Sequence, residues 1–228
     1  MWVHETGCMA FVHIPKNGGT TITDQLKLSG KYLDHYSLTK LNPKVEKHDT
    51  ASVIRIMLKD HFTNPILFTV IRHPYRRVFS MWRQMIEVNE RYLINSDMLY
   101  KDFSIELLEK YSNGVDGFTR FINEQPQWSW HPKNNITLDE MTYNGWWPQS
   151  KWTCNKYGKN VVDKIFNIDD LKALEDWLLK YNVKFLSHLH ANVRRDYDYK
   201  LFYDKDTLQL VRNIFADDFE RFNFSEEL

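Results

Sequence analysis

Residues 11–21 read FVHIPKNGGTT, and the order of residue types in this stretch decides the fold. The apolar run AFVHI over residues 10–14 has the length and composition of a buried β-strand. Pro15-Lys16 closes that run, Gly18 and Gly19 follow, and Thr20 and Thr21 open a segment over residues 19–29 that predicts a helix. Strand, glycine turn and helix in this order describe a site for phosphate or sulfate. Glycines hold no side chain between an anion and the main chain, so successive N–H groups converge on it. The start of the helix adds unpaired amides and the positive end of its dipole. Lys16 supplies a point charge, and the threonine hydroxyls supply donors. Each charge-assisted hydrogen bond contributes roughly 1.5–3 kcal/mol where water is excluded, so several together hold a multiply charged group firmly. The plainer alternative is a strand-to-helix turn that needs glycine for its geometry alone. The triphosphate-binding pattern G-x-x-x-x-G-K-[ST] fits less well, because its lysine follows the glycines and Lys16 precedes them.

Outward from this loop, strands and helices alternate. Residues 31–36 read as a short strand, and residues 49–60 as a helix capped by Asp49 or Thr50. ILFTVI over residues 66–71 is a continuous apolar run, the pattern of a central parallel strand. A long helix starts at Pro74, since proline suits the first helical position. Helices are expected near 104–111 and 115–123, a strand over 163–168, a helix with an acidic start over 169–181, and a last helix over 204–217. Residues 95–160 are otherwise irregular, rich in Trp, Pro and Asn, and read as loops over a site. The expectation is an α/β fold: one three-layer, P-loop-like domain over residues 1–228, with a central parallel sheet flanked by helices.

Composition narrows the partners. A chain of 228 residues with 43% hydrophobic content is long enough for a substantial core. Thirty basic and thirty acidic residues cancel, so no global field attracts nucleic acid and anion recognition must be local. Cys8 and Cys154 form neither a disulfide framework nor a metal-ligand pattern, and His188 and His190 lack a third ligand nearby. No run approaches the roughly 20 apolar residues of a membrane span. The N-terminus also lacks a basic segment followed by a long apolar one, so the expectation is a cytoplasmic protein. Trp128, Trp130, Trp146, Trp147 and Trp152 crowd one segment, where amphipathic rings suit a pocket for a sugar or another flat ligand.

A second anion-binding segment follows the 66–71 strand. Arg72 stands at the strand's C-terminal end, the edge where open α/β sheets place ligands. Ser80 lies about two helical turns into the next helix, and a loop folded back would bring both to one phosphate. The alternative is that Arg72 and Arg77 pair with carboxylates while Ser80 packs.

Taken together, Pro15-Lys16-Asn17-Gly18-Gly19-Thr20-Thr21 and Arg72-His73-Pro74-Tyr75-Arg76-Arg77-Val78-Phe79-Ser80 resemble the motifs of the sulfotransferases that use 3′-phosphoadenosine 5′-phosphosulfate (PAPS). In that family P-K-x-G-[GS]-T-[ST] binds the 5′-phosphosulfate and R-x-P-x-x-R-x-x-S binds the 3′-phosphate. The HIPKNGGTT wording is closer to the carbohydrate enzymes of the Golgi type, including the heparan sulfate enzymes, than to the phenol and steroid enzymes. Lys47-His48-Asp49-Thr50-Ala51, Pro148-Gln149-Ser150 and the stretch from Phe202 to Phe224 are similar to further family landmarks. The resemblance implies transfer of a sulfuryl group from PAPS to a hydroxyl of a carbohydrate or small-molecule acceptor, with no metal. It implies that Lys16, Asn17, Gly18, Gly19, Thr20, Thr21, Arg72 and Ser80 bind the donor. Lys16 would also stabilise the leaving phosphate oxygen, and His48 would be the general base, a task suited to histidine's near-neutral pKa. His13 is expected in the core, and Gln149 with the tryptophans on the acceptor side. An ATP-using P-loop-like kinase and a catalytically silent nucleotide-binding module are the competing readings.

Overall fold

A computed structural model describes residues 2–30, 32–33, 48–94, 101–126, 145–187 and 198–228. In chain order these form β1 (Trp2–His4), β2 (Met9–Val12), α1 (Gly19–Leu28), β3 (Tyr32–Leu33), α2 (Ala51–Leu58), β4 (Ile66–Ile71), α3 (Pro74–Ile94), α4 (Lys101–Tyr111), α5 (Gly114–Glu124), α6 (Ser150–Thr153), β5 (Lys164–Asn167), α7 (Leu171–Leu179), α8 (Lys205–Ile214) and α9 (Ala216–Arg221). They group into two compact units, one from Met1–Arg72 with Pro148–Arg195, the other from His73–Trp147 with Asp196–Leu228.

The first unit carries a five-stranded sheet of order β3-β1-β2-β4-β5. Its centre follows the expectation: β2 runs parallel to β4, and β4 parallel to β5. The sheet as a whole is mixed, which corrects the expectation of a parallel one, because β1 is antiparallel to both β2 and β3. Only a few residues separate His4 from Met9, and a connection that short can only reverse the chain. The aromatic core rests on β2 and β4. Phe11 and Phe68 lie 5.2 Å apart between ring centroids, Phe68 and Trp177 lie 5.0 Å apart, and Ile22 and Leu26 of α1 join the same cluster. Leu171, Leu174 and Leu178 recur at helical spacing and turn one face of α7 into that core. Thr50 caps α2 by accepting from the Val53 amide at 3.4 Å, as its position ahead of an apolar run predicts.

The second unit is helical. Its long helix α3 buries Tyr75, Val78, Phe79, Trp82 and Met85 at intervals of three and four against Phe118, Phe121, Trp146 and Phe215. The final helix expected over 204–217 is two helices, because Phe215 leaves helical geometry at φ −112 and ψ 25. Among the described residues no helix is long and apolar enough to cross a membrane.

Arg77 is the unusual member of this core. It is fully buried, donates to the carbonyls of Gly145 and Trp147 at 3.0 Å each, and stands over the Phe215 ring. Burial pulls its pKa down to about 10, while the buried Asp218 favours its charged form. Arg77 is thus a buried structural charge of the second unit, held by main-chain carbonyls. Arg77→Met removes the donors from two carbonyls and leaves Asp218 buried without that cation, so it is expected to cost roughly 3–5 kcal/mol in urea unfolding. The added Asp218→Asn change should recover part of the loss, and equal stability of wild type and Arg77→Met would refute this role.

Candidate anion-binding site

Parallel pairing brings the C-terminal ends of β2 and β4 to one edge of the sheet. Val12 pairs with Thr69, and the Thr69 hydroxyl donates to the Val12 carbonyl at 2.7 Å, closing the register just before both strands end. The 15–21 loop leaves β2 and Arg72 leaves β4 side by side, so both expected anion contacts of the first unit lie at this edge.

The loop's backbone is shaped for concavity. Lys16 has φ 70 and Gly18 has φ 75, two left-handed residues separated by Asn17. Alternation of this kind turns successive amides to one side. Gly18 tolerates it without cost, whereas a lysine pays for it and needs support from its surroundings. Gly18 is also the N-cap of α1 and makes no side-chain cap bond to the first turn. A Cβ at Gly18 would come 2.7 Å from Ile168 Cδ1, a side-chain end that can shift, so the demand for glycine here comes from the backbone angle.

Asn17 and Gln149 supply the support. Both are buried, at 2% and 0% exposure. Asn17 Nδ2 donates to the Val70 carbonyl at 2.9 Å and to Gln149 Oε1 at 2.6 Å. Gln149 Oε1 also accepts from the Arg72 amide at 2.9 Å, and Gln149 Nε2 donates to the Arg72 carbonyl at 2.8 Å. Arg72 Nη1 then donates back to the Lys16 carbonyl at 3.2 Å. The loop and the strand end are thus stitched together by a closed set of hydrogen bonds. The Asn17 side chain faces the sheet, so what this residue can offer a ligand is its main chain.

The histidines lie under the same loop. His13 is buried, as expected, and its ring fills the space beside Gly19: a Cβ on Gly19 would come 1.8 Å from His13 Nε2. The rings of His13 and His48 are 4.5 Å apart, and His48 Nδ1 bonds to the His13 carbonyl at 3.1 Å. A carbonyl only accepts, so Nδ1 carries the proton and Nε2 is the basic nitrogen of the neutral ring. Trp152 Nε1 donates to the His48 carbonyl at 3.3 Å and fixes its main chain.

Of the expected site residues, the fold gathers Lys16, Asn17, Gly18, Gly19, Thr20, Thr21, Arg72 and His48 in the first unit. Lys16, Arg72 and His48 are half-buried, Thr20 is exposed and Thr21 is buried. Ser80 is half-buried on α3 of the second unit. The expected acceptor wall changes more. Gln149 and Trp152 are 0% exposed and Trp146 is 6% exposed, so these three are packing and tethering groups and do not form an open wall. Trp128, Trp130, Lys47, His188 and His190 lie outside the described residues.

The family model described as the Sulfotransferase family matches residues 1–225. No curated protein and no solved structure matches the chain.

Gly19→Ala sets two effects against each other. Alanine in place of a helical glycine gains about 1 kcal/mol in propensity. Forcing a methyl into occupied space costs about 1–3 kcal/mol, and a contact at 1.8 Å from an imidazole lies at the severe end. The clash should win, giving a lower melting temperature than wild type by several degrees; a variant as stable as wild type would show that His13 does not hold that space.

Proposed function

The chain belongs to the Sulfotransferase family, a family of sulfuryl-transfer enzymes, and from that premise we propose that it moves a sulfuryl group from PAPS to a hydroxyl acceptor, with a carbohydrate as the acceptor class. The observation that carries the donor reading is the loop at Lys16–Gly18, left-handed at both ends and tied to the main chain of Arg72. A cradle made of main-chain amides with a lysine at its lip suits a tetrahedral oxyanion joined to a phosphate. The alternation at Lys16 and Gly18 falls where the family motif places the phosphosulfate.

In this reading the amides of Gly18, Gly19 and Thr20 hold the 5′-phosphosulfate, and Thr21 assists with its hydroxyl. Arg72 faces the 3′-phosphate, and Ser80 is added to that role by the sequence motif alone. The acceptor oxygen forms a bond to sulfur as the bond from sulfur to the 5′-phosphate oxygen breaks, and the leaving nucleotide keeps that electron pair. Lys16 offsets the charge that develops on the bridging oxygen, and His48 Nε2 takes the proton released by the acceptor hydroxyl. The Nδ1–H bond from His48 to the His13 carbonyl supports this assignment, since it fixes the tautomer a base requires.

Donor identity is tested by thermal shift. Ligand at 100 times its dissociation constant adds about 2.7 kcal/mol of stability. Stabilisation by 3′,5′-diphosphoadenosine and none by ATP is expected, and the reverse result would move the protein to the kinase reading. Transfer from labelled PAPS tests the roles. Lys16→Ala should lower turnover by about two orders of magnitude, the size seen for loss of one oxyanion-stabilising group, while leaving much of the nucleotide affinity. His48→Ala should retain donor affinity and lose transfer. Turnover near the wild-type value in either variant would remove that residue from the mechanism.

A further inference from the structure

The hydrogen bonds around Gln149 have a consequence for the loop that resembles the donor site. Gln149 is 132 residues from Asn17 in sequence, yet its carboxamide engages both the Asn17 side chain and the two main-chain groups of Arg72. Asn17 extends the tie to the Val70 carbonyl on β4. Lys16, immediately before Asn17, holds a left-handed backbone that a lysine does not adopt without support. Its carbonyl is in turn gripped by Arg72 Nη1. We propose that Gln149 and Asn17 are positioning residues, a two-carboxamide clamp that keeps the Lys16–Gly18 turn in its anion-binding shape.

Neither side chain needs to touch the donor for this. A carboxamide is suited to the task because it offers a donor and an acceptor on one rigid plane. Gln149 uses both on the single residue Arg72, and that fixes the height of the strand end relative to the loop. The acceptor oxygen is shared between Asn17 Nδ2 and the Arg72 amide, so loss of Gln149 frees the loop and the strand end together. The part assigned to the clamp in catalysis rests on the proposed donor reading; its action on the loop does not.

The test therefore has two readouts. In Gln149→Met, of similar length and without the amide, hydrogen exchange at the amides of residues 16–21 should quicken at least tenfold, with no ligand present. Affinity for 3′,5′-diphosphoadenosine should fall at least tenfold, with a lower kcat and an unchanged acceptor KM. Asn17→Ala, which keeps Gln149, should give the same pattern if Gln149→Met does not fold. Gln149→Glu retains the shared acceptor, loses the donor to the Arg72 carbonyl, and should fall between wild type and Gln149→Met.

Gln25→Ala is the control. Gln25 makes an equivalent pair of bonds to the Leu186 amide and carbonyl, and its loss should lower stability without quickening exchange at residues 16–21. Unchanged loop exchange in folded Gln149→Met and Asn17→Ala overturns the clamp. So does equal quickening in Gln25→Ala, which would mark a general loss of stability. Quickened exchange in the variants, with the wild type itself binding no 3′,5′-diphosphoadenosine, retains the clamp and overturns the donor reading instead.

Discussion

The left-handed backbone at Lys16 is the constraint on which the rest of the first unit depends. For a residue with a Cβ, φ near +70 costs roughly 1–2 kcal/mol relative to ordinary geometry, and such strain persists only where the surroundings over-determine it. Here they do so from three directions: Pro15 stiffens the chain before it, Asn17 is tied to β4 and Gln149 after it, and Arg72 holds its carbonyl. The parallel β2–β4 pair is what makes this possible, because only parallel neighbours deliver a loop and a strand end to the same edge at one height. A glycine at position 16 would relieve the strain and remove the only cation in the 15–21 loop. The sequence keeps the lysine and supports it with hydrogen bonds.

Much of this was legible locally. The strand 66–71 and the helix start at Pro74 coincide with the observed elements because a continuous apolar run and a first-turn proline act through neighbours in sequence. The loop and its glycines were legible for the same reason. β1 was not, since three residues carry no readable alternation, and its partner is set by the turn that follows. The break at Phe215 was hidden by its own pattern: Val211, Phe215 and Phe219 keep a spacing of four across it, so the apolar stripe continues while the backbone does not. Gln149, expected on the acceptor side with the tryptophans, is instead buried and tied to the loop and the strand end. Nothing near it in sequence announces partners at Asn17, 132 residues away. Trp146 and Trp152 are packing groups for a different reason, since aromatic clustering is equally a signature of a core.

The segment Pro148–Thr153, whose first three residues are similar to a family landmark, thereby has an organising part. Gln149 holds the strand end and the loop, and three residues later Trp152 holds the His48 carbonyl. These are adjacent teeth of one short piece of chain, and they set the candidate anion cradle and the candidate base in a common frame. His13 completes that frame from below, with its ring against Gly19 and its carbonyl fixing the His48 tautomer. His13 thus lies in contact with both Gly19 and His48, which links the candidate base to the start of α1.

This construction also shows how the proposed binding of a polyanion is compatible with a chain of no net charge. Attraction by a general positive field requires an excess of lysine and arginine, and the balance of 30 against 30 rules that out. Main-chain amides and a helix start carry partial charges that do not enter the formal count, and they act over a few ångströms, where a bound oxyanion sits. Their strength depends on aim and not on number, so the energetic cost shifts from supplying charge to fixing geometry. Buried carboxamides such as Asn17 and Gln149 meet that cost without adding charge of either sign. The neutral sequence and the tightly stitched loop are thus compatible with the proposed donor site, whose recognition would be local and set by geometry.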